Sequence, residues 1–223
     1  LDLTQNSGNV NYNTSSYDAY LVHENDLTNL VSTGRKWFGE SFAFNQFQVF
    51  NYGDNRISLT DSIRLAVNVA TRSSIGSTFS ISNNSNNVAD VYVPSISSSS
   101  NDYYKTRFYT SSFYPTSTDL SLTFNYNNGG NTSALAWLDY FTLVYRNKLI
   151  FNGNQFSFRD SQSIGENNLS NFIIDASFEN TQIWDVTDPV NVVNMNFDQV
   201  GDGISFISPT NYLKEFHVFN NSD

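Results

Sequence analysis

The chain has 223 residues, of which 39% are hydrophobic, 16% aromatic and 14% charged, and its formal net charge is -10. Eleven scattered Lys and Arg against 21 Asp and Glu offer no basic patch for phosphates, so nucleic acid is set aside as a partner. The absence of cysteine excludes disulfides, thiol catalysis and Cys-ligated zinc, and no apolar run approaches the ~20 residues of a membrane span.

Asn, Ser and Thr take the place that charged residues usually fill. Their short polar side chains compete with the helix backbone and favour turns, while aromatic rings pack well on a pleated sheet. The expected fold is all-β: an antiparallel β-sandwich, jelly-roll-like.

Residues 1–19 are interrupted by Asn6, Gly8, Asn9, Asn11 and Asn13 and read as a polar arm or linker. Residues 20–223 read as a single β-sandwich domain. A subdivision near 147 is the alternative, disfavoured because the later strands look too short for a core of their own. His23 to Val31 is predicted to hold a short helical turn, with Asn25 as its cap before Leu27 and Leu30.

Strands follow. Ile63, Leu65, Val67 and Val69 alternate with shorter or polar neighbours, the period-two signature of a half-buried strand. Phe79 and Ile81 repeat it, and the turn cluster Ser82–Asn87 leads into a strand over Val88–Val93. Leu120, Leu122, Phe124 and Tyr126 alternate again before Asn127-Asn128-Gly129-Gly130, where a tight reversal is expected. Ala134–Tyr145 is a long strand. Leu138, Tyr140, Thr142 and Val144 are assigned to one face, and Trp137, Asp139, Phe141, Leu143 and Tyr145 to the other. Shorter strands are expected at 156–158, 172–174, 183–184, 190–193, 204–207 and 214–219.

The chemistry is sparse. His23 and His217 lack a partner at metal-ligand spacing, and Ser74-Ile75-Gly76-Ser77 lacks the pattern of a nucleophile elbow. The acidic pairs Glu24/Asp26, Asp185/Asp188 and Asp198/Asp202 read first as solvated turn carboxylates. The run Asp198–Gly203 resembles a calcium loop without its full register, so calcium is the alternative, with Asp198 and Asp202 as candidate ligands. Asp185-Val186-Thr187-Asp188-Pro189 reads as a strand exit in which side-chain oxygens satisfy turn N–H groups. Trp37, Phe38, Trp137 and Trp184 are read as core anchors; Arg35, Lys36, Trp37 and Phe38 are also the candidate docking patch. Tyr103, Tyr104, Tyr109 and Tyr114 are the candidate sugar-stacking residues.

Three ordered phrases carry a family resemblance. They are His23-Glu24 with Asn29-Leu30 and Gly34-Arg35-Lys36-Trp37-Phe38-Gly39-Glu40, then Ala136-Trp137-Leu138-Asp139-Tyr140 with Leu143-Val144-Tyr145-Arg146, and lastly Asn154–Arg159 with Ile183–Pro189. Together these resemble the non-catalytic region upstream of the peptidase domain in type IX secretion system sortases, the gingipain-like cysteine peptidases of Bacteroidetes-type bacteria. The resemblance implies a parent that removes cargo C-terminal signals and attaches cargo to lipopolysaccharide. It places the parent outside the cell, at the outer membrane or cell surface of a Gram-negative bacterium. The chain's ends are consistent with a piece of such a parent. No position matches the family's nucleophile or histidine, so the fragment is expected to be a scaffold rather than an enzyme, without a cofactor. Its implied partners are the downstream peptidase domain, outer-membrane secretion components, or cargo C-terminal signal domains. Asp61-Ser62-Ile63 also fits the O-glycosylation pattern of these bacteria. The alternative is a carbohydrate-binding module of a secreted Bacteroidetes protein.

Overall fold

The computed structural model describes residues 2–3, 9–32, 34–153, 155–176 and 179–220. The described chain is all-β, as expected. Its strands are β1 (Asp2–Leu3), β2 (Tyr12–Thr14), β3 (Ser16–Glu24), β4 (Phe47–Gly53), β5 (Ile63–Arg72), β6 (Ser77–Asn83), β7 (Asn86–Val93), β8 (Lys105–Phe113) and β9 (Asp119–Asn127). They continue with β10 (Leu135–Lys148), β11 (Phe156–Arg159), β12 (Leu169–Ile174), β13 (Thr181–Asp185), β14 (Val193–Met195), β15 (Asp198–Val200), β16 (Gly203–Pro209) and β17 (Glu215–Asn220). Contacts divide the chain into two compact units, residues 1–19, 56–58 and 146–223, and residues 20–55 and 59–145. Among the described residues no helix is long and apolar enough to cross a membrane.

The second unit contains two four-stranded sheets, β3-β10-β5-β8 and β4-β9-β6-β7. Every connection but the β6–β7 hairpin passes from one sheet to the other, which is the strand order of a jelly roll. The alternation in the sequence explains why the sheets pack. Ile63, Leu65, Val67 and Val69 of β5 are fully buried, as are Leu122 and Phe124 of β9 and Phe79 and Ile81 of β6. The Phe124 and Phe141 rings, from opposite sheets, meet at 5.4 Å. Asn84 and Ser85 turn the β6–β7 hairpin with φ of 48° and 69°, the left-handed pair that matches strand twist. The Gly129–Gly130 reversal is held by Asn127 Oδ1 and Asn128 Oδ1, each accepting at 2.9 Å from the N–H two residues on.

β10 corrects one expectation. Its register against β5 shifts between Leu138 and Tyr140, so Asp139 sits in a β-bulge. The extra residue inverts the phase of the strand. Leu138 is buried before it, Phe141 and Leu143 are buried after it, and Val144 is 47% exposed. Leu138 and Val144 therefore do not share a face.

The first unit has sheets β1-β14-β13-β17-β11 and β15-β16-β12-β2. Short strands suffice because phenylalanines fill the space between them. Phe172 lies 5.1 Å from Phe206 and 5.1 Å from Phe216, Phe206 lies 4.8 Å from Phe216, and Phe158 closes the cluster at 5.3 Å from Phe216. Burying each such ring contributes on the order of 1.5–3 kcal/mol. The stretch read as a polar arm carries β2, which pairs in parallel with β12, and the start of β3; Thr14 is buried. Arg146 is the ionic hub of this unit. Its Nη1 donates to Asp18 Oδ1 and Asp160 Oδ1, both at 2.6 Å, and its Nη2 donates to Ser16 Oγ at 2.9 Å. Two smaller differences appear. Val190 is a turn residue, 87% exposed, so β14 begins only at Val193. Trp184 is exposed and rests edge-on against Phe219 at 4.7 Å rather than in the core.

Candidate functional site

Residues 25–42 lead from β3 to β4. The predicted helical turn is absent. One turn of helix fixes several residues for little return, whereas extended pairing satisfies the backbone here at once. Leu27 N and Thr28 N donate to Phe38 O, and Phe38 N donates to Thr28 O, all at 2.9 Å. The return arm then lies along the start of β10: Gly39 N donates to Leu138 O at 2.8 Å, Leu138 N to Glu40 O at 2.9 Å, and Phe42 N to Ala136 O at 2.8 Å. Ser32 and Gly34, with φ of 53° and 70°, belong to the bend between the arms. Gly39 sits close to the neighbouring backbone: a Cβ there would stand 3.1 Å from Asn25 O, which would have to give by a few tenths of an ångström.

This packing brings residues from two of the recognised phrases together at the bulge. His23 Nε2 lies 2.9 Å from Glu40 Oε1, and Asn25 Nδ2 donates to the same oxygen at 2.8 Å. A carboxylate only accepts, so Nε2 carries a proton toward Glu40, and Nδ1 pairs with the Tyr52 hydroxyl at 3.0 Å. The imidazole is stacked on Phe141 at 5.0 Å and tilted against Phe50 at 4.5 Å. Beside it, Asp139 Oδ2 receives Lys36 Nζ at 2.9 Å and Asn68 Nδ2 at 2.7 Å. The bulge thus turns a carboxylate toward the one lysine of the motif.

The order hydroxyl, imidazole, carboxylate has the outline of a relay but not its chemistry. Burial, and then the charge of Glu40, push the Tyr52 hydroxyl above its ordinary value. A nucleophile needs the opposite shift. Both ring nitrogens of His23 are committed, and its faces are covered by phenylalanines. The arrangement is a fastening for the 25–42 segment. Among the described residues no group of three or more His, Asp or Glu could hold a metal ion.

The expected docking patch does not stay together. Phe38 is fully buried in a cluster with Ala70 and Trp137, and Lys36 is drawn to Asp139. Arg35 and Trp37 remain exposed, Trp37 by 42%. Alternation along an extended segment sends neighbouring side chains opposite ways, and the sequence pattern alone had grouped them. The four tyrosines do not form one platform either. Tyr104 is edge-on to Phe38 at 5.1 Å, and Tyr103 lies under the Arg72 guanidinium at 4.2 Å. Tyr109 is within β8, facing as Val67 does, and Tyr114 follows the strand. The nine residues of β8 separate Tyr104 from Tyr114 by about 30 Å of extended chain.

Asp198 lies in β15, and Asp202 in the two-residue turn, Gly201-Asp202, between β15 and β16. His217 Nδ1 pairs with Ser157 Oγ at 2.9 Å. The strand exit at 185–189 is as its residue types suggest: Thr187 N donates to Asp185 Oδ1 at 3.0 Å, Glu215 N to Thr187 Oγ1 at 2.9 Å and Val190 N to Asp188 Oδ1 at 3.0 Å. Asp185 also pairs with Lys214 at 2.9 Å. At the glycosylation pattern, Ser62 is exposed and Ile63 fully buried. The His23–Glu40 and Lys36–Asp139 pairs were missed by sequence reasoning. Their members sit 17 and about 100 residues apart, and no spacing rule links them.

No known family model matches the chain. No curated protein matches it significantly either. Among solved structures, it is similar to dimeric latent PorU from Porphyromonas gingivalis, with a TM-score of 0.78, 17% sequence identity, and coverage of 100% of this chain and 22% of PorU. A second similarity, to the insecticidal delta-endotoxin Cry8Ea1 from Bacillus thuringiensis, covers 47% of this chain and 19% of that one at 14% identity. Its TM-score is 0.36. The chain therefore shares its fold, from end to end, with a stretch of PorU, and spans about a fifth of that protein's length.

Proposed function

We propose that this chain is a non-catalytic domain of a type IX secretion sortase. The observation that carries the reading is the agreement of two independent signals. Three ordered sequence phrases resemble that sortase family, and the whole fold is similar to a stretch of PorU, a type IX secretion sortase. Residues of the first two phrases also meet in space, at the Lys36–Asp139 pair. On this reading the parent is exported to the outer membrane or cell surface. Its downstream gingipain-like peptidase domain is a cysteine endopeptidase that removes cargo C-terminal signals and attaches cargo to lipopolysaccharide.

The domain's role is to hold and dock. Its contact surface is the bend that exposes Arg35 and Trp37, and it faces the peptidase domain, an outer-membrane secretion component or a cargo signal domain. The test is made in the full-length parent in cells. Arg35→Glu with Trp37→Ala is expected to leave the protein folded and to slow removal of the cargo signal, read by immunoblot. Unchanged cargo processing after deletion of the entire domain would sink the scaffold role.

A further inference from the structure

In a jelly roll, the connections β3–β4, β5–β6, β7–β8 and β9–β10 emerge at one end. Three of them, with the strand ends next to them, line an open cleft of about 780 Å³, within the range of small-molecule sites. We propose that this cleft binds a carboxylated saccharide unit, with Arg72 as the anchor for the carboxylate.

The lining chooses the ligand class. Eight of the thirteen lining residues are Ser or Asn, a surface of hydroxyl and amide groups that both donate and accept. Such a lining suits a polyol better than an apolar ligand. Leu135, Ile96 and Tyr103 add a small apolar ledge for the C–H face of a sugar ring. One cation, Arg72, and one acid, Asp102, stand in this wall. The Arg72 guanidinium is laid on the Tyr103 ring at 4.2 Å, and no carboxylate pairs with it among the described residues. Stacking fixes the plane of the fork and leaves its N–H edge for a planar, two-oxygen anion. Asp102, the acid of the cleft, does not compete for Arg72. It is engaged by Lys105 and by Ser100 Oγ, the latter at 2.8 Å. A polyanion would need several cations and would meet a chain of net charge -10, so the chemistry favours a single carboxylate per unit.

The walls are built before any ligand arrives. Asn131 Nδ2 donates to Ser73 Oγ at 3.1 Å and Ser74 Oγ at 3.3 Å, and Ile96 N donates to Ser73 O at 2.8 Å, which ties the three loops together. The floor rests on the motif segment. Leu135 and Tyr104 both pack on the cluster of Phe38, Ala70 and Trp137. The fastening described above therefore also supports the cleft.

The test is calorimetric titration of the chain with trigalacturonate, a glucuronate-containing disaccharide and sialyllactose, beside neutral galactose oligosaccharides and acetate. Saturation-transfer NMR then locates the bound face. At least one acidic sugar is expected to bind about tenfold or more tightly than its neutral counterpart. Arg72→Gln should remove that preference, and Tyr103→Ala should weaken all binding by a similar factor. Near-UV circular dichroism confirms that both variants fold, and Trp184→Phe, in the other unit, should change nothing. The proposal is overturned if no acidic sugar binds at millimolar concentration or if Arg72→Gln leaves the affinity intact. It is equally overturned if acetate competes as well as the sugar acid, which would mark a bare anion site.

Discussion

Replacing Arg146 by methionine would test how the first unit is held together. Methionine keeps most of the side-chain volume and removes the charge. Arg146 and Asp160 are nearly inaccessible, with side-chain exposures of 6% and 0%. The loss leaves Asp160 as an uncompensated buried carboxylate and Asp18 with Ser161 alone. Breaking a buried pair from one side costs about 3–5 kcal/mol. With a urea dependence of roughly 1–3 kcal/mol per molar, the unfolding midpoint should fall by at least about 1 M. Hydrogen exchange followed by mass spectrometry gives the location: protection should drop first in β12, β16 and β17. The double variant Arg146→Met with Asp160→Asn should be more stable than Arg146→Met alone, because the stranded charge is gone. A loss below about 1 kcal/mol would refute the reasoning. So would a double variant less stable than the single one.

Acid should act on the same hub. Burial opposes ionisation of Asp18, but the hydrogen bonds from Ser161 and the Arg146 guanidinium outweigh it and hold this carboxyl below its ordinary value. A folded-state pKa below the unfolded one means that the unfolded chain binds more protons. The contribution is then complete above pH ~4 and is lost as pH falls through the depressed value, a trend that urea midpoints between pH 5 and pH 2 would reveal. Lys214 has the opposite sign. Burial opposes its charge, yet Asp185 and Tyr212 raise it, so its contribution should fade only as pH climbs above its ordinary 10.5. Gly39→Ala should cost about 1–3 kcal/mol in thermal unfolding, because its Cβ must displace the Asn25 carbonyl; a neutral result would mean that the segment can slide. The neighbours Phe38 and Trp37 should diverge. Phe38→Ala should cost about 3–5 kcal/mol and Trp37→Ala within about 0.5, measured by the same unfolding scans.

Much of the fold was legible in the amino-acid order. The alternation at 63–69 and 120–126 decides strands by itself, since period two places every second side chain on one face. Asn127–Gly130 and the Asp185–Pro189 exit were legible because their side chains satisfy nearby backbone, a local matter. Four things were decided only by tertiary structure. A bulge at Asp139 inverted the faces of β10, and a bulge depends on what the partner strand can pair. Leu27 and Leu30 follow an extended arm, since distant Phe38 supplied the hydrogen bonds that a helix would have made internally. His23 and Glu40 meet because the loop that leaves β3 returns along β10, the strand beside it. The Arg72 cleft arises where three loops far apart in sequence share one end of a jelly roll. Local pattern fixes which way a side chain points; which side chains face each other depends on long-range pairing, and the candidate sites are made of such pairs.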